Sequence, residues 1–411
     1  MISWIDGADA SDFGIDNLPL GIYSTGDAPR AGVAIGDFVA DLGTLVRERI
    51  VDDESVLEAR TLNAFLAGGP GAWRLLRTTL QRVFGANASA EERESVSRAL
   101  TPRAAVTMHL PIAVQDYVDF YSSIEHATNL GRMLRPGGEP LTPNCRHIPI
   151  GYHGRASTIV VDGTPVRRPS GQTKAPDAAA PTFGPTRMLD FELELGFITG
   201  PGNVHGQPIP TAAARDHVYG YVVLNDWSAR DVQGWEYQPL GPFLSKSFAT
   251  SISPWIVSLD ALEPFRVANR EQDPVPLPYL RVAENYAYEI ALEVALQSAS
   301  MRAQGLAPAV ISKTTFAHMY WNLAQQLAHM TINGSKIRAG DLFGSGTISG
   351  TEPGTFGSMI ELTSRGAQPL TLPSGEERAF LADGDTVIMR ARAANGAHRV
   401  GFGEVRGTIV A

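Results

Sequence analysis

Three observations predict a mainly β protein of the α+β class. The 411 residues include 41 glycines and 28 prolines, a composition that favours frequent turns and short strands. Apolar and polar residues alternate with the period of a strand in several segments, most clearly in residues 190–198. Helical periodicity is confined to residues 56–66 and 73–84, a segment that begins at Ser89, and residues 315–331.

The first part of the chain is predicted to form a separate unit, which divides the protein into residues 1–111 and 112–411. Residues 31–40 predict a hairpin with a turn at Gly36 and Asp37. The helices at 56–66 and 73–84 are separated by the breaker sequence Gly-Gly-Pro-Gly at 68–71, and Ser89 begins a third helix. Residues 107–111 are expected to be a linker. Because no cluster of catalytic residue types occurs here, we expect a structural or oligomerisation role.

The rest of the chain is predicted to contain short strands and one long helix. Strands are expected at 218–224, 344–350, 358–363, 386–391 and 404–410. The helix at 315–331 would be capped by Thr314 and ended by Asn333 and Gly334.

Charge and composition narrow the classes of function. The net charge of −9 and pI near 5.5 argue against non-specific binding to nucleic acid or to an acidic membrane surface. No secretory signal and no run of 18 apolar residues is visible. The lone cysteine, Cys145, cannot form an intrachain disulfide, so we expect a reducing, cytoplasmic location. Cys145 is also a candidate nucleophile, but its neighbours match no nucleophile motif, which favours a buried bystander thiol.

The segment from 190 to 198 places three acids, Asp190, Glu192 and Glu194, on one face of a predicted strand. A row of carboxylates on one face is unfavourable without compensation. Three interpretations remain open at this point: a solvated face of an edge strand, a facing row of Lys or Arg, or a divalent cation, since hard cations prefer carboxylate oxygens.

Chemically versatile residues also concentrate in three other places. Residues 116–129 combine acids, aromatics and hydroxyls with His126. The predicted strand at 218–224 runs into the polar sequence 225–233, and polar residues at the end of an apolar strand are typical of a site on a rigid scaffold. Lys246 lies in an otherwise uncharged loop.

Together these segments resemble the fumarylacetoacetate hydrolase family over most of residues 115–411 and, less closely, in the N-terminal unit. The motifs are DFYSS at 119–123, HATN at 126–129, GYHGRAS at 151–157, DFELE at 190–194, NDWSARD at 225–231, WEY at 235–237, PLGPF at 239–243 and SGTISG at 345–350. The resemblance implies a small N-terminal SH3-like β-barrel domain, a C-terminal mixed β-roll that holds the active site, and a homodimer.

The resemblance also implies roles for individual residues. The metal ligands would be Asp119, Glu192, Glu194 and Asp226, with Lys246 and Thr250 in the metal environment, and the metal would be Mg²⁺ or Ca²⁺. His126 would be the general base, oriented by Glu361, and developing negative charge would be stabilised by Arg230, Gln233 and Lys246. Substrate contacts would come from Tyr121, Arg135, Tyr152, Gln233, Tyr237 and Thr347.

The reaction that the resemblance implies is hydrolysis of the C–C bond of a small β-diketo acid. For 4-fumarylacetoacetate, the products would be fumarate and acetoacetate, the last step of tyrosine and phenylalanine catabolism, with no organic cofactor. A second hypothesis is decarboxylation, hydration or isomerisation of another 2-oxo or diketo acid at the same metal site. A third is a non-catalytic, metal-stabilised protein, which explains the carboxylates but not His126, Lys246 and Arg230 around them.

Overall fold

The structure, a computed structural model, describes residues 1–135 and 137–411. The strands, in chain order, are β1 Leu20–Ser24, β2 Arg30–Ile35, β3 Phe38–Asp41, β4 Leu100–Pro102, β5 Thr107–His109, β6 Tyr117–Phe120, β7 Gly151–His153, β8 Ile159–Val161, β9 Val166–Arg167, β10 Ser170–Thr173, β11 Thr182–Pro185, β12 Leu189–Asp190, β13 Leu193–Thr199, β14 Val218–Asp226, β15 Ser228–Ala229, β16 Thr250–Ile252, β17 Val257–Ser258, β18 Arg266–Val267, β19 Ala287–Tyr288, β20 Ala291–Gln297, β21 Ala309–Thr315, β22 Leu342–Gly344, β23 Leu370–Thr371, β24 Glu377–Arg378, β25 Thr386–Ala394 and β26 Arg399–Val410.

Helices are fewer than strands in the described chain. They are α1 Leu42–Arg47, α2 Asn63–Ala67, α3 Gly69–Phe84, α4 Ala90–Ala99, α5 Ile124–Leu134, α6 Ala214–His217, α7 Arg230–Glu236, α8 Leu259–Leu262, α9 Ala299–Ala303, α10 Leu323–Thr331 and α11 Met359–Leu362. The prediction of a mainly β protein is therefore confirmed. Among the residues that the structure describes, no helix has the length and hydropathy needed to cross a bilayer.

Three sheets dominate the architecture. The N-terminal sheet has the order β4-β3-β2-β1-β5, and a five-stranded sheet near the C-terminus has the order β21-β20-β25-β26-β9. Between them lies a mixed eight-stranded sheet with the path β7-β6-β22-β13-β14-β16-β8, in which β17 also pairs with β14. Its central strands β13 and β14 are antiparallel, with Glu194 opposite Leu224.

The two faces of the central sheet pack into different apolar cores. Alternate residues such as Ile198 and Val222 join the core of the N-terminal unit, which includes Phe65 and Trp73. The intervening residues, such as Phe197, join the core that covers β20, β25 and β26. The period-two alternation thus produces two buried faces. The N-terminal unit shares a continuous core with the central sheet.

Several predicted elements of the N-terminal unit are confirmed and others are wrong. The hairpin forms as β2 and β3, and Ser89 caps α4. The predicted helix at 56–66 is wrong, because only α2 is helical there, after a 3-10 turn at Glu54–Val56. The predicted break between two helices is confirmed, because α2 ends at Ala67 and α3 begins at Gly69. Gly69 has a φ of 75°, which a continuous helix does not allow, and Pro70 suits the first turn of α3.

The predicted linker at 107–111 is also wrong. Residues 107–109 form β5, which pairs with β1 and places Met108 opposite Tyr23. A three-residue strand is too short to give a reliable period, so its partner in the sheet decides its structure.

In the C-terminal part, one predicted helix is confirmed only in its second half, with its end at Thr331, and two predicted strands are wrong. The helix at 315–331 begins only at α10, because residues 309–315 pair with β20 and Asn322 forms a capping box with Gln325. The strand at 344–350 ends at Gly344, after which Gly346 turns with a φ of 81° and donates its N–H to Glu194. The strand at 358–363 is the helix α11. The strands at 218–224, 386–391 and 404–410 are confirmed within β14, β25 and β26.

The capping box of α4 gives a test of the fold. Ser89 accepts the N–H of Glu92, and the Glu92 side chain accepts the N–H of Ser89. We expect Ser89→Ala to lower the free energy of unfolding by about 1 kcal/mol, because a helix N–H loses its acceptor. Urea titration of this variant and of Ser97→Ala, in the body of the same helix, checks the prediction. An equal loss in both variants would contradict it.

Candidate active site

Three buried carboxylates converge at one end of the central sheet. Asp119 comes from β6, Glu194 from β13 and Asp226 from the end of β14. Each offers an oxygen, and these oxygens lie within 4.8 Å of one another. The metal interpretation of the acidic strand is therefore supported, whereas the solvated edge strand is wrong, since β13 is a central, fully buried strand.

The alternation of the strands explains why these acids share one face. Asp119 lies two residues after Tyr117, and Asp226 lies two residues after Leu224. Tyr117 and Leu224 belong to the core beneath the N-terminal unit, so the same sheet face is apolar there and becomes acidic further along the strands. The acids come from separate segments because the sheet brings these strands together.

Gly344 keeps the space between the carboxylates open. It lies on β22, opposite Asp119 on one side and Gly196 on the other. A Cβ on Gly344 would lie 2.7 Å from Oδ1 of Asp119 and 2.9 Å from Oε2 of Glu194. Any larger residue would push into the carboxylates.

The three acids fit a hard divalent cation. Among the residues that the structure describes, Asp119, Glu194 and Asp226 each have one buried oxygen with no hydrogen-bond partner, Oδ1, Oε1 and Oδ1 respectively. Burial and the neighbouring carboxylates raise the pKa of Asp119 and of Glu194 well above its ordinary value. Orphaned anionic oxygens in a buried cluster are the ligands that Mg²⁺ and Ca²⁺ prefer, and thiolates are absent from this cluster.

Glu192, the fourth predicted ligand, lies beside this cluster and contacts cationic groups. Its carboxylate forms an ion pair with Lys246 and another with Arg230, whose Nη2 is 2.7 Å from Oε1. Burial opposes ionisation of Glu192, but Arg230 and then Lys246 more than offset it, so its pKa lies below its ordinary value. Its role as a metal ligand stays a prediction.

Polar residues around the acids hold them in place. The hydroxyl of Tyr152 donates to Oδ2 of Asp119 at 3.0 Å and is 2.9 Å from Oδ2 of Asp226. Lys246 also donates to Asp226 at 2.7 Å. Thr250 lies opposite Asp226 in the pairing of β14 with β16. Tyr152 and Lys246 also line a cavity of about 170 Å³.

His126 and Glu361 form a buried pair next to the acidic cluster. Nδ1 of His126 is 2.7 Å from Oε2 of Glu361, and its Nε2 is 3.7 Å from Oε1 of Glu192. Ser123 caps α5 by accepting the backbone N–H of His126, which fixes the main chain from which the imidazole projects. His126 and Glu361 are 235 positions apart in the sequence, so only the fold brings them into contact. Their catalytic roles stay predictions.

Glu361 is held by side chains that sequence reasoning missed. Asn129 donates to its Oε1 at 2.9 Å, and Ser349 and Ser358 donate to its Oε2 at 2.9 and 2.6 Å. Burial opposes ionisation of Glu361, but His126 and then Ser358 and Asn129 more than offset it, so its pKa lies below its ordinary value. The position of Asn129 three residues after His126 was a usable signal, because residues at that spacing share a helix face.

Arg230 and Gln233 lie on the first turn of α7. Arg230 is buried, and its Nη1 donates to Oε1 of Gln233 at 3.1 Å. Its Nε donates to Asp190 at 2.8 Å. Asp190 was predicted to share a face with Glu192 and Glu194. The strand is interrupted between β12 and β13, however, and the carboxylate of Asp190 does not belong to the cluster of Asp119, Glu194 and Asp226.

The remaining predicted substrate contacts surround the site to different degrees. Tyr121 packs edge-on against His126, with ring centroids 5.3 Å apart. Thr347 is buried in the segment after β22. Arg135 ends α5 and donates to the Pro140 carbonyl at 2.7 Å. Within residues 1–135 and 137–411, Arg135 and Tyr237 form no hydrogen bond or ion pair with the carboxylates or His126.

Within the described residues, the hydrogen bonds of Cys145 join it to Thr142 and Trp321 and not to the carboxylates or His126. Cys145 is buried, and its Sγ is 3.1 Å from the hydroxyl oxygen of Thr142. The buried position agrees with a bystander thiol.

Comparison with known proteins agrees with this site. The model described as "Fumarylacetoacetase N-terminal" matches residues 16–111, and "Fumarylacetoacetate (FAA) hydrolase C-terminal" matches residues 117–410. The curated fumarylacetoacetases of Rattus norvegicus and Homo sapiens are each 47% identical over 417 residues, which is all of this chain and 99% of each relative. The chain belongs to the fumarylacetoacetate hydrolase family of enzymes.

Solved structures agree at the level of the fold. The fumarylacetoacetate hydrolase from psychrophilic Exiguobacterium antarcticum superposes with a TM-score of 0.54 at 16% identity, covering 96% of this chain and 99% of that one. The maleylpyruvate hydrolase from Sphingobium superposes with a TM-score of 0.51 at 15% identity and the same coverage. At these identities, the likeness concerns the fold alone.

Removing one charge from the acidic cluster tests the metal centre. We expect Glu194→Gln to weaken Mg²⁺ or Ca²⁺ binding at least about tenfold, because an anionic ligand becomes a neutral amide. Calorimetric titration of chelator-treated protein measures the affinity. Glu293→Gln is the matched control, because Glu293 contacts Arg390 and Lys313 in a different sheet. Equal affinity in Glu194→Gln and the control would contradict a metal site here.

Proposed function

We propose that this protein hydrolyses the C–C bond of 4-fumarylacetoacetate, releasing fumarate and acetoacetate, as the last step of tyrosine and phenylalanine catabolism. The observation that carries the proposal is the buried His126–Glu361 pair beside the cluster of Asp119, Glu194 and Asp226. Full-length identity of 47% to curated fumarylacetoacetases supports the choice of substrate.

The metal would be Mg²⁺ or Ca²⁺. Asp119, Glu194 and Asp226 would hold it, with Glu192 as a fourth ligand, and Lys246 and Thr250 would belong to its surroundings. A set of oxygen donors favours these cations over metals that prefer sulfur. When bound, the cation supplies Lewis acidity that polarises the two carbonyls of a β-diketone and orients them.

His126 is the proposed general base. Glu361 accepts the Nδ1–H of the imidazole, so the lone pair of Nε2 is free to take a proton from water. Glu361 also stabilises the imidazolium that forms. The hydroxide from this water attacks the carbonyl carbon next to the fumaryl double bond, and its new bond converts the carbonyl to a tetrahedral oxyanion.

The other polar residues stabilise developing negative charge. Arg230 binds Oε1 of Gln233, which leaves the amide N–H₂ of Gln233 to donate to the oxyanion, together with Arg230 and Lys246. When the oxyanion collapses to fumarate, the C–C bond electrons pass to the acetoacetate fragment as an enolate. The His126 imidazolium returns its proton to that carbon, so one water is consumed and acetoacetate is released.

Substrate binding would use residues around the base. Tyr121 packs against His126, and Tyr152 reaches the carboxylate cluster. We assign further contacts to Arg135, Gln233, Tyr237 and Thr347. A guanidinium such as that of Arg135 suits a substrate carboxylate, because its donors match two oxygens at once.

The finer architecture belongs to the same proposal. Residues 1–111 would form an SH3-like β-barrel domain and residues 112–411 a catalytic mixed β-roll, in a cytoplasmic homodimer that binds neither nucleic acid nor membranes. The five-stranded sheet of β1 to β5 and the family-model boundary between residues 111 and 117 support this division.

A substrate assay tests the function. Chelator-treated protein should not consume 4-fumarylacetoacetate, and added Mg²⁺ or Ca²⁺ should restore the loss of substrate absorbance. Product analysis should give fumarate and acetoacetate in equal amounts. Release of CO₂ or an isomer would favour another reaction of the family, and no turnover by metal-loaded protein would contradict the proposal.

The base and its partner should act as one unit. We expect His126→Asn to lower kcat by about 10²–10⁴-fold, the usual range for a general base, with metal content unchanged. Glu361→Gln should also lower kcat, and the double variant should be little worse than His126→Asn, because residues acting as a unit are not additive. Steady-state kinetics of all three variants measure this.

A matched control exists at the protein surface. His398 also faces a carboxylate, with Nδ1 2.9 Å from Oδ2 of Asp16, but lies outside the site. His398→Asn should leave kcat unchanged. Independent, multiplying losses for His126→Asn and Glu361→Gln would mean that another residue is the base.

A further inference from the structure

Asp190 is a fully buried carboxylate that the proposed reaction does not use. Its two oxygens accept hydrogen bonds from four N–H groups. Oδ1 accepts from the backbone of Phe191 at 2.8 Å and of Met359 at 2.7 Å, and Oδ2 accepts from Ile360 at 3.1 Å and from Nε of Arg230 at 2.8 Å. A single side chain therefore joins β12 to the first turns of α11 and α7.

The contact with α11 replaces a missing helix cap. Ser358 occupies the N-cap position, but its hydroxyl donates to Glu361 and makes no capping bond. Asp190 accepts the N–H groups of Met359 and Ile360, two of the N–H groups at the start of α11 that have no acceptor within the helix. Since a helix of four residues is not stable by itself, these bonds fix the position from which Glu361 reaches His126.

The contact with Arg230 fixes a second group of the site. While Nε donates to Asp190, Nη2 lies 2.7 Å from Glu192 and Nη1 donates to Gln233. Because the guanidinium is planar, it can contact Asp190, Glu192 and Gln233 together in only one orientation. Asp190 thereby sets which edge of Arg230 faces the reaction space.

We propose that Asp190 is a positioning residue that fixes the position of the His126–Glu361 pair relative to the Arg230 guanidinium. It acts through these residues and does not touch the substrate. The proposal rests on the proposed function for its kinetic consequence, but its structural consequence can be measured without a substrate.

Asp190→Asn is the principal variant. The amide keeps an acceptor for α11 but turns N–H donors towards Nε of Arg230, so the guanidinium loses its fixed orientation. We expect kcat to fall by about 10–100-fold with KM and metal content nearly unchanged, the scale typical of residues that orient groups in a site. Combined with Glu361→Gln, the loss in kcat should be smaller than the product of the two single losses.

The structural readout is the imidazole of His126. A proton held between Nδ1 and Glu361 should give a downfield NMR signal in ¹⁵N-histidine-labelled protein, assigned by its absence in His126→Asn. We expect this signal to shift or disappear in Asp190→Asn. This measurement separates the two hypotheses: an inactive wild-type protein would contradict the proposed function, while the signal would still decide the role of Asp190.

Asp385→Asn is the matched control. Asp385 is equally buried and accepts Nε and Nη2 of Arg378 at 2.8 and 3.1 Å and the N–H of Ala382 at 2.8 Å, outside the site. Removing its charge should lower stability but leave kcat and the His126 signal unchanged. Equal effects of Asp385→Asn and Asp190→Asn on kcat and on the signal would overturn the proposal.

A second substitution covers the case in which Asp190→Asn does not fold. Asp190→Glu keeps the charge that compensates Arg230 but moves the oxygens by one methylene. We expect a folded protein with lowered kcat and a shifted His126 signal. Wild-type kcat and an unchanged signal in either variant would overturn the proposal.

Discussion

The burial of carboxylates at the end of the central sheet is the constraint on which the site depends. Asp119, Asp190, Glu192, Glu194 and Asp226 are all removed from water. Charges in such surroundings are costly unless paired, and Lys246 and Arg230 bind only part of the group. Within the described residues, the three carboxylate oxygens of this group that have no hydrogen-bond partner belong to Asp119, Glu194 and Asp226, whose oxygens converge within 4.8 Å. The carboxylates whose charge is not fully compensated by Lys246 and Arg230 are therefore the same ones that could bind a cation.

The central sheet meets this constraint by changing character along its strands. Beneath the N-terminal unit its face is apolar, with Ile198, Val222 and Leu224 in one core. Two residues after Leu224, the same face carries the acid Asp226, and Gly344 leaves the space between the acids free. Each strand thus has an apolar segment that packs in the core and an acidic segment that belongs to the site. The packed segment holds the acidic one rigid. A site on such a scaffold has little freedom to relax when a ligand is bound.

Side chains outside the sheet complete the arrangement through chains of hydrogen bonds. Glu361 reaches His126 from a helix of one turn, which is held by Asp190. Arg230 reaches Glu192 from α7 and is held by the same Asp190. The proposed base His126, through Glu361, and the proposed anion-stabilising group Arg230 therefore depend on the same carboxylate, Asp190. A change at Asp190 would affect both, even though none of the proposed metal ligands and not His126 itself is altered.

The sequence by itself determined the mainly β class, the hairpin of β2 and β3, the cap at Ser89, and the identity of the acids, His126 and Glu361 as candidates. The class, the hairpin and the cap follow from local periods and turn residues, whereas His126 and Glu361 became candidates through the resemblance to the family. Tertiary structure alone decided that residues 107–109 form a strand, that α11 is a helix, and that Asp190 stands apart from Glu194. Each depends on a partner distant in the chain: Tyr23 opposite Met108, Asp190 at the start of α11, and Arg230 beside Asp190. Short segments have too little intrinsic preference to fix their own structure, so the partner decides it.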